Sequence, residues 1–262
     1  MTTLSQARPR LAPLTAELTF ITRSLIHTVR TPDALVMAIA LPVVLMLLFT
    51  FVFGGALESD GSYVNYVVPG IILLCAGFGA SSVATDVASD MTTGVIDRFR
   101  TMPLRASAII TGHVIASLVR NLVATAVVIG VAIAVGFRPT ATPLEWIALL
   151  GLIAVYILAI TYLFAGIGLA ASSPEAAGGY GFILMFLPYL SSAFVPVDTM
   201  PAWLQWIAEN QPLTPIIETI RGLLLGTELG SSPAWAIGWC GLILTIAIVW
   251  STMLFRSRAG RR

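Results

Sequence analysis

The chain has 262 residues, of which 57% are hydrophobic and 10% charged, with a formal net charge of +1 and a mean hydropathy of +0.92. A soluble domain carries about 25% charged residues, so this composition excludes an ordinary water-soluble globule and predicts an all-α integral membrane protein. The near-neutral balance supplies no bulk field for nucleic acid, and no nucleic-acid partner is expected.

The first thirty residues hold Arg8, Arg10, Glu17, Arg23 and Arg30 and no apolar signal-peptide core, so the first spanning helix is expected to act as its own signal. Leu14, Leu18, Ile21, Leu25 and Val29 recur on one helical face, with Arg23, His27 and Arg30 opposite. This predicts an amphipathic helix over 14–30 lying in the headgroup plane, broken at Thr31-Pro32. A spanning helix needs about 20 mostly apolar residues. Six segments qualify: 34–53, which contains Pro42; 63–86, which contains Pro69; 106–136, which contains His113 and Arg120; 144–171; 176–195; and 233–255. They are too long and too uniformly apolar for barrel strands, and lipid leaves no backbone group unpaired, so helix is the expected form. Arg120 is expected to snorkel to inner headgroups, and His113 to sit at the interface. Cys75 and Cys240 lie in apolar runs and read as small buried hydrophobes.

Arginine supplies every cation, because lysine is absent. Arg8, Arg10, Arg23 and Arg30 precede the first span, Arg98, Arg100 and Arg105 separate the second from the third, and Arg256, Arg258, Arg261 and Arg262 follow the sixth. The other side has Arg138 and Arg221 against Glu58, Asp60, Glu145, Asp198, Glu209, Glu218 and Glu228. The positive-inside rule then predicts a multi-pass protein of the cell membrane with both termini and the 90–105 loop in the cytoplasm. Trp146, Trp203, Trp206, Trp235 and Trp239 fall at the expected outer boundary, as an interfacial belt does.

Two further segments are too short or too polar to span. In the 90–105 loop a helix would carry Val95, Phe99 and Met102 on one stripe with Ile96 at its edge. Asp97, Arg98 and Arg100 would cover the rest, Asp97 and Arg100 spaced to pair, and Pro103 would stop it. This pattern fits a connector hugging anionic headgroups and fits equally an apolar ridge seated in a groove of a soluble partner. The second segment, 199–226, holds Pro201, Trp203 and a short apolar helix over Ile216–Leu225 on which Glu218 and Arg221 can pair. It predicts a partly inserted, re-entrant element on the outer side.

Energy-capturing chemistry is missing. Without lysine there is no phosphate-binding G-x-x-x-x-G-K-[ST] loop, and HExxH and GxSxG are absent too. No acidic residue falls mid-span, where ion-coupled transporters keep titratable groups. The chain is expected to be a transport part without catalytic residues or a metal, driven by another protein.

The stretch Thr93–Val114 resembles the coupling loop of ABC-2 type transporter permeases, E-x-x-x-G-x-[LI]-[ED]-x-[LF]-x-[TS]-x-P-[LI]. Gly94, Ile96, Asp97, Phe99, Thr101, Pro103 and Leu104 match it, and Asp90 stands where the pattern begins with glutamate. Phe194, Pro196, Met200, Pro201, Trp203, Leu204, Pro212, Thr214, Glu218 and Arg221 are similar to the family's second signature. Within the family the wording is nearest the DrrB-like, daunorubicin-resistance branch of drug and lipid exporters. The resemblance implies one transmembrane domain over 1–262, with an elbow helix, a coupling helix and an outer re-entrant element. It implies pairing of two permease copies, as a homo- or heterodimer, with two ATPase subunits that hold ATP and Mg. Gly94, Val95, Ile96, Asp97, Arg98, Phe99, Arg100, Met102 and Pro103 would then be the ATPase-coupling residues, and Pro201, Trp203, Glu218 and Arg221 would shape the outer element. The expected cargo is hydrophobic or amphiphilic, a drug or a lipid moved outward, with Asn65, Tyr180, Tyr189 and Ser192 as candidate lining residues. A glycolipid or polysaccharide exporter, an importer permease and a passive channel or scaffold are the competing readings. The loop's place after the second span favours export over import.

Overall fold

A computed structural model of the chain describes residues 32–57, 63–93 and 107–259. The expected elbow helix over 14–30 and the coupling residues 94–103 lie outside the described residues.

Apolar character and capping residues set the helices. The first, α1, is Pro32–Leu48; it runs on through a π-helical turn, Phe49–Phe53, and a last turn, Gly54–Leu57. Then follow α2, Tyr63–Thr92, α3, Ser107–Val135, and α4, Pro143–Ala170. At the start of α4 the Thr142 hydroxyl accepts from the Glu145 N–H, and the Glu145 carboxylate accepts the Thr142 N–H at 2.6 Å. With Pro143 in the first turn this is a capping box. Ser173 caps α5, Pro174–Leu184, by accepting from the Ala176 N–H. Two shorter helices, α6 (Ala202–Asn210) and α7 (Leu213–Leu225), precede α8, Ser232–Ala259. Gly226 ends α7 at φ +70, a left-handed cap that glycine adopts at no steric cost. No strand occurs among the described residues. By length and composition, α2, α3, α4 and α8 can each cross a membrane.

One expected span is not a single helix. In 176–195, α5 stops at Leu184, the chain turns, and a 3₁₀ turn follows at Leu187–Leu190. Gly178, Gly179 and Gly181 weaken helix propensity, and Pro188 removes a backbone donor. Elsewhere the expected segments and the helices differ at their ends: α2 continues past 86 to Thr92, and α7 begins at Leu213 rather than Ile216.

The hub is α2. It packs against α1, α3, α4, α5 and α7, and its buried residues run from Tyr63 to Ala88. Close approaches need glycine: a Cβ at Gly70 would stand 2.6 Å from the Ala193 Cβ, and one at Gly166 would stand 2.6 Å from the Trp250 ring. Gly168 meets Ala84 and Val87, so α2 and α4 end side by side. By contrast α8 lies at the edge, with Ile237, Leu242, Ile246, Val249 and Met253 exposed. An apolar exterior of this kind suits a lipid surround. Cys75 and Cys240 are buried free thiols, as expected.

Candidate transport and coupling site

Residues 94–106, the stretch that resembles the family's coupling loop, join α2 to α3, so the interface of these two helices is the part of the bundle they connect to. The interface is polar. Where α2 leaves towards the loop, His113 of α3 and Asp90 of α2 lie 2.9 Å apart, both half-buried. Further from the loop, Arg120 donates from Nη2 to the Gly79 carbonyl at 2.9 Å and to the Ser82 hydroxyl at 2.6 Å. The Asp86 carboxylate also acts on Arg120 through its charge. Next to Arg120, the Asn121 amide donates to Ser117 at 3.1 Å, and the Ser117 and Thr161 hydroxyls lie 3.4 Å apart, bringing in α4. Asn121 fills the space that a Cβ on Gly79 would need. The partners therefore climb α3 as they descend α2, in strict antiparallel register.

This corrects the expectation for Arg120. It does not snorkel; it is 9% exposed and points into the bundle. Its Nε and the Asn121 Oδ1 have no hydrogen-bond partner. An unbonded cation at the centre of a spanning helix costs about 2.5–3.5 kcal/mol to insert, and the bonds to Gly79 and Ser82 offset part of that cost. His113, expected to be simply interfacial, has a carboxylate partner instead.

At the opposite end of the bundle Glu218 and Arg221 pair as the sequence predicts, at 2.6 Å. Arg221 does more than that. It is 7% exposed, donates from Nη2 to the carbonyls of Ser192 (2.9 Å) and Tyr66 (3.1 Å), and lies 4.0 Å from the centre of the Tyr66 ring. The Tyr63 hydroxyl adds a bond to the Phe194 carbonyl at 2.7 Å. Thus α7 is tied both to α2 and to the broken segment after α5. Pro201 opens α6, and Trp203 is exposed.

The four candidate lining residues do not converge. Asn65 accepts the Arg138 N–H at 3.2 Å, and Tyr180 is exposed on α5. Tyr189 stacks on Phe194 with centroids 5.0 Å apart. Ser192 is buried, its carbonyl taken by Arg221. None of them lines the apolar cavity of about 70 Å³ between α2, α4, α7 and the break after α5, whose walls include Leu74, Tyr156, Phe164, Leu187 and Leu213.

Residues 15–225 match the family described as ABC-2 type transporter. The chain belongs to the ABC-2 type transporter family. It is 29% identical over 220 residues to the daunorubicin resistance ABC transporter permease protein DrrB1 of Streptomyces coeruleorubidus, covering 83% of this chain and 78% of that one. It is 24% identical over 217 residues to the probable doxorubicin resistance ABC transporter permease protein DrrC of Mycobacterium tuberculosis, covering 81% and 78%. It is also 28% identical over 212 residues to the putative transport permease ycf38 of Pyropia yezoensis, covering 78% and 72%. This ABC-2 chain is accordingly the permease subunit of an ABC exporter, a multi-pass membrane protein and not an enzyme. Membership implies an ATPase partner and a dimeric arrangement.

Sequence reasoning missed Ser82, Ser117 and Asn121. A signal was present: Gly79, Ser82, Asp86 and Asp90 recur at three- and four-residue steps, which is one polar stripe on a helix.

Proposed function

We propose that this ABC-2 permease exports a hydrophobic or amphiphilic molecule, a drug or a lipid, and receives its driving force at residues 94–103. Six crossings are inferred: α1 with its π turn, α2, α3, α4, the broken 174–195 segment and α8. The inference is supported by an alternation of direction: Gly54 approaches Tyr63 at one end of the bundle, Arg138 meets Asn65 at the same end, and Gly178 approaches Thr85 towards the other. Both termini and the 94–103 segment would face the cytoplasm, and α6 and α7 would form the outer re-entrant element. Two permease copies would pair with two ATPases carrying ATP and Mg²⁺. The Val95, Phe99 and Met102 ridge would sit in a groove of each ATPase, flanked by Arg98 and Arg100.

The observation that carries the reading is the polar interface between α2 and α3, the two helices that this segment joins in sequence. Arg120, Asn121 and His113 fasten the two helices bordering the coupling loop. Force entering there would move α2 and α3 as one piece, and α2, the hub, would pass it to the bundle. The test is Phe99→Asp in the chain co-expressed with its ATPase. Loss of co-purification and of ATP-dependent export from membrane vesicles is expected; full retention of both refutes the coupling role.

A further inference from the structure

At the tryptophan-rich end, α6, α7 and α8 line a half-open cavity of about 310 Å³ that no part of the transport reading uses. We propose that it binds an organic ammonium ion carrying an apolar tail. The proposal stands on the cavity's own chemistry and does not depend on the coupling role of residues 94–103.

The walls divide by chemistry. Glu209 and Asn210 come from the end of α6, Thr214 and Glu218 from α7, and Trp235 and Trp239 from α8. The two tryptophans are one turn apart and share a face of α8. Glu218 is engaged by Arg221 at 2.6 Å, whereas Glu209 has no ion pair among the described residues and is exposed. Arg221 is thus spent on Glu218, and the Glu209 charge is left over. An anion would be repelled. A hard metal ion is poorly served, because it asks for six or more oxygen ligands and meets indole rings instead. An organic cation suits both walls: indole faces attract it, most strongly among the aromatic side chains, and a carboxylate balances its charge. The volume sits at the lower end of the range of about 300–1,000 Å³ for ligand pockets, enough for a head and the start of a body.

The tail has a path. Trp235, Trp239, Leu242, Ile246, Val249 and Met253 follow one another at four- and three-residue steps on α8, and apart from the half-buried Trp239 all are exposed. This stripe runs from the cavity along the helix towards its far end. A molecule with a cationic head and an alkyl chain would place the first among the tryptophans and lay the second along the stripe. Such a head can come from an aminolipid of the surrounding leaflet or from a free cationic amphiphile.

The test is equilibrium dialysis of radiolabelled dodecyltrimethylammonium, below its micellar concentration, against the full chain in dodecyl maltoside with empty micelles as blank. Saturable binding near one site per chain is expected, with no matching site for dodecyl sulfate. Glu209→Gln and Trp239→Leu should each weaken it about tenfold, while Glu209→Asp and the remote Trp203→Phe leave it within threefold. Variants are compared only at equal melting temperature, and because Glu209 is exposed its substitution is tolerated by the fold. Added phosphatidylethanolamine identifies the source: competition assigns the site to a lipid headgroup, and undiminished binding assigns it to a free amphiphile. Binding unchanged in both Glu209→Gln and Trp239→Leu, or equal binding of dodecyl sulfate, overturns the proposal.

Discussion

Arg120 and Arg221 are both at least nine-tenths buried in the same bundle, yet their surroundings differ in kind. Arg221 meets a carboxylate, two backbone carbonyls and the face of an aromatic ring. Arg120 has neutral acceptors within hydrogen-bonding distance, one carbonyl and one hydroxyl, and feels Asp86 through charge. The Nε of each lacks a partner, so the contrast lies in the counter-charge. Removing one partner of a close buried ion pair strands the other charge and costs about 3–5 kcal/mol, whereas replacing a cation bonded to neutral acceptors strands a carbonyl and a hydroxyl. The first is a fastener that holds the outer element; the second ties α2 to α3 through neutral acceptors, so that the two helices move together. That is the arrangement expected of a machine whose inner end must move and whose outer end must keep its shape.

Substitutions can break this comparison, and the largest effect is expected at the fastener. Arg221→Met leaves Glu218 and two carbonyls without their cation and should lower stability by about 3 kcal/mol, read as a fall in melting temperature of the purified chain. Gly79→Ala should cost about 2 kcal/mol by forcing Asn121 aside, and Asn121→Ala in the same chain should recover most of the loss, a coupling that a double-mutant cycle measures. Arg120→Met should change stability by less than about 1 kcal/mol while lowering the transport obtained per ATP hydrolysed by the co-purified ATPase. A fall equal to that of Arg221→Met would place both arginines in one class and end the distinction. The smallest effect, about 0.5 kcal/mol, is expected for His113→Ala, because the Asp90 pair is half-exposed and solvent weakens it.

Much of the fold was legible because a bilayer constrains sequence so strongly. Long apolar runs announced α2, α3, α4 and α8 within a few residues of their ends, and the i, i+3 spacing of Glu218 and Arg221 foretold their pair. Three features escaped. The stop after Leu184 depends on a local balance of glycines and Pro188 that apolarity conceals. The Arg120 environment depends on which face of α3 turns towards α2, and a cation near the middle of a long apolar run, as Arg120 is in Ser107–Val135, reads equally well as snorkelling. Asn121 became visible only with its partner, since its place is created by a missing side chain on another helix. The candidate lining residues were chosen by polarity within apolar runs, a criterion that also selects residues held by the fold: Asn65 accepts the Arg138 N–H, and Ser192 is buried with its carbonyl taken by Arg221.

The matched steps along α2 and α3 also limit how this chain can vary in length. An extra residue between Ser82 and Asp90 would swing everything beyond it through about 100° of helical rotation, so Arg120 and His113 could no longer both find their mates. Insertions and deletions in natural or laboratory variants should therefore be purged from that nine-residue window.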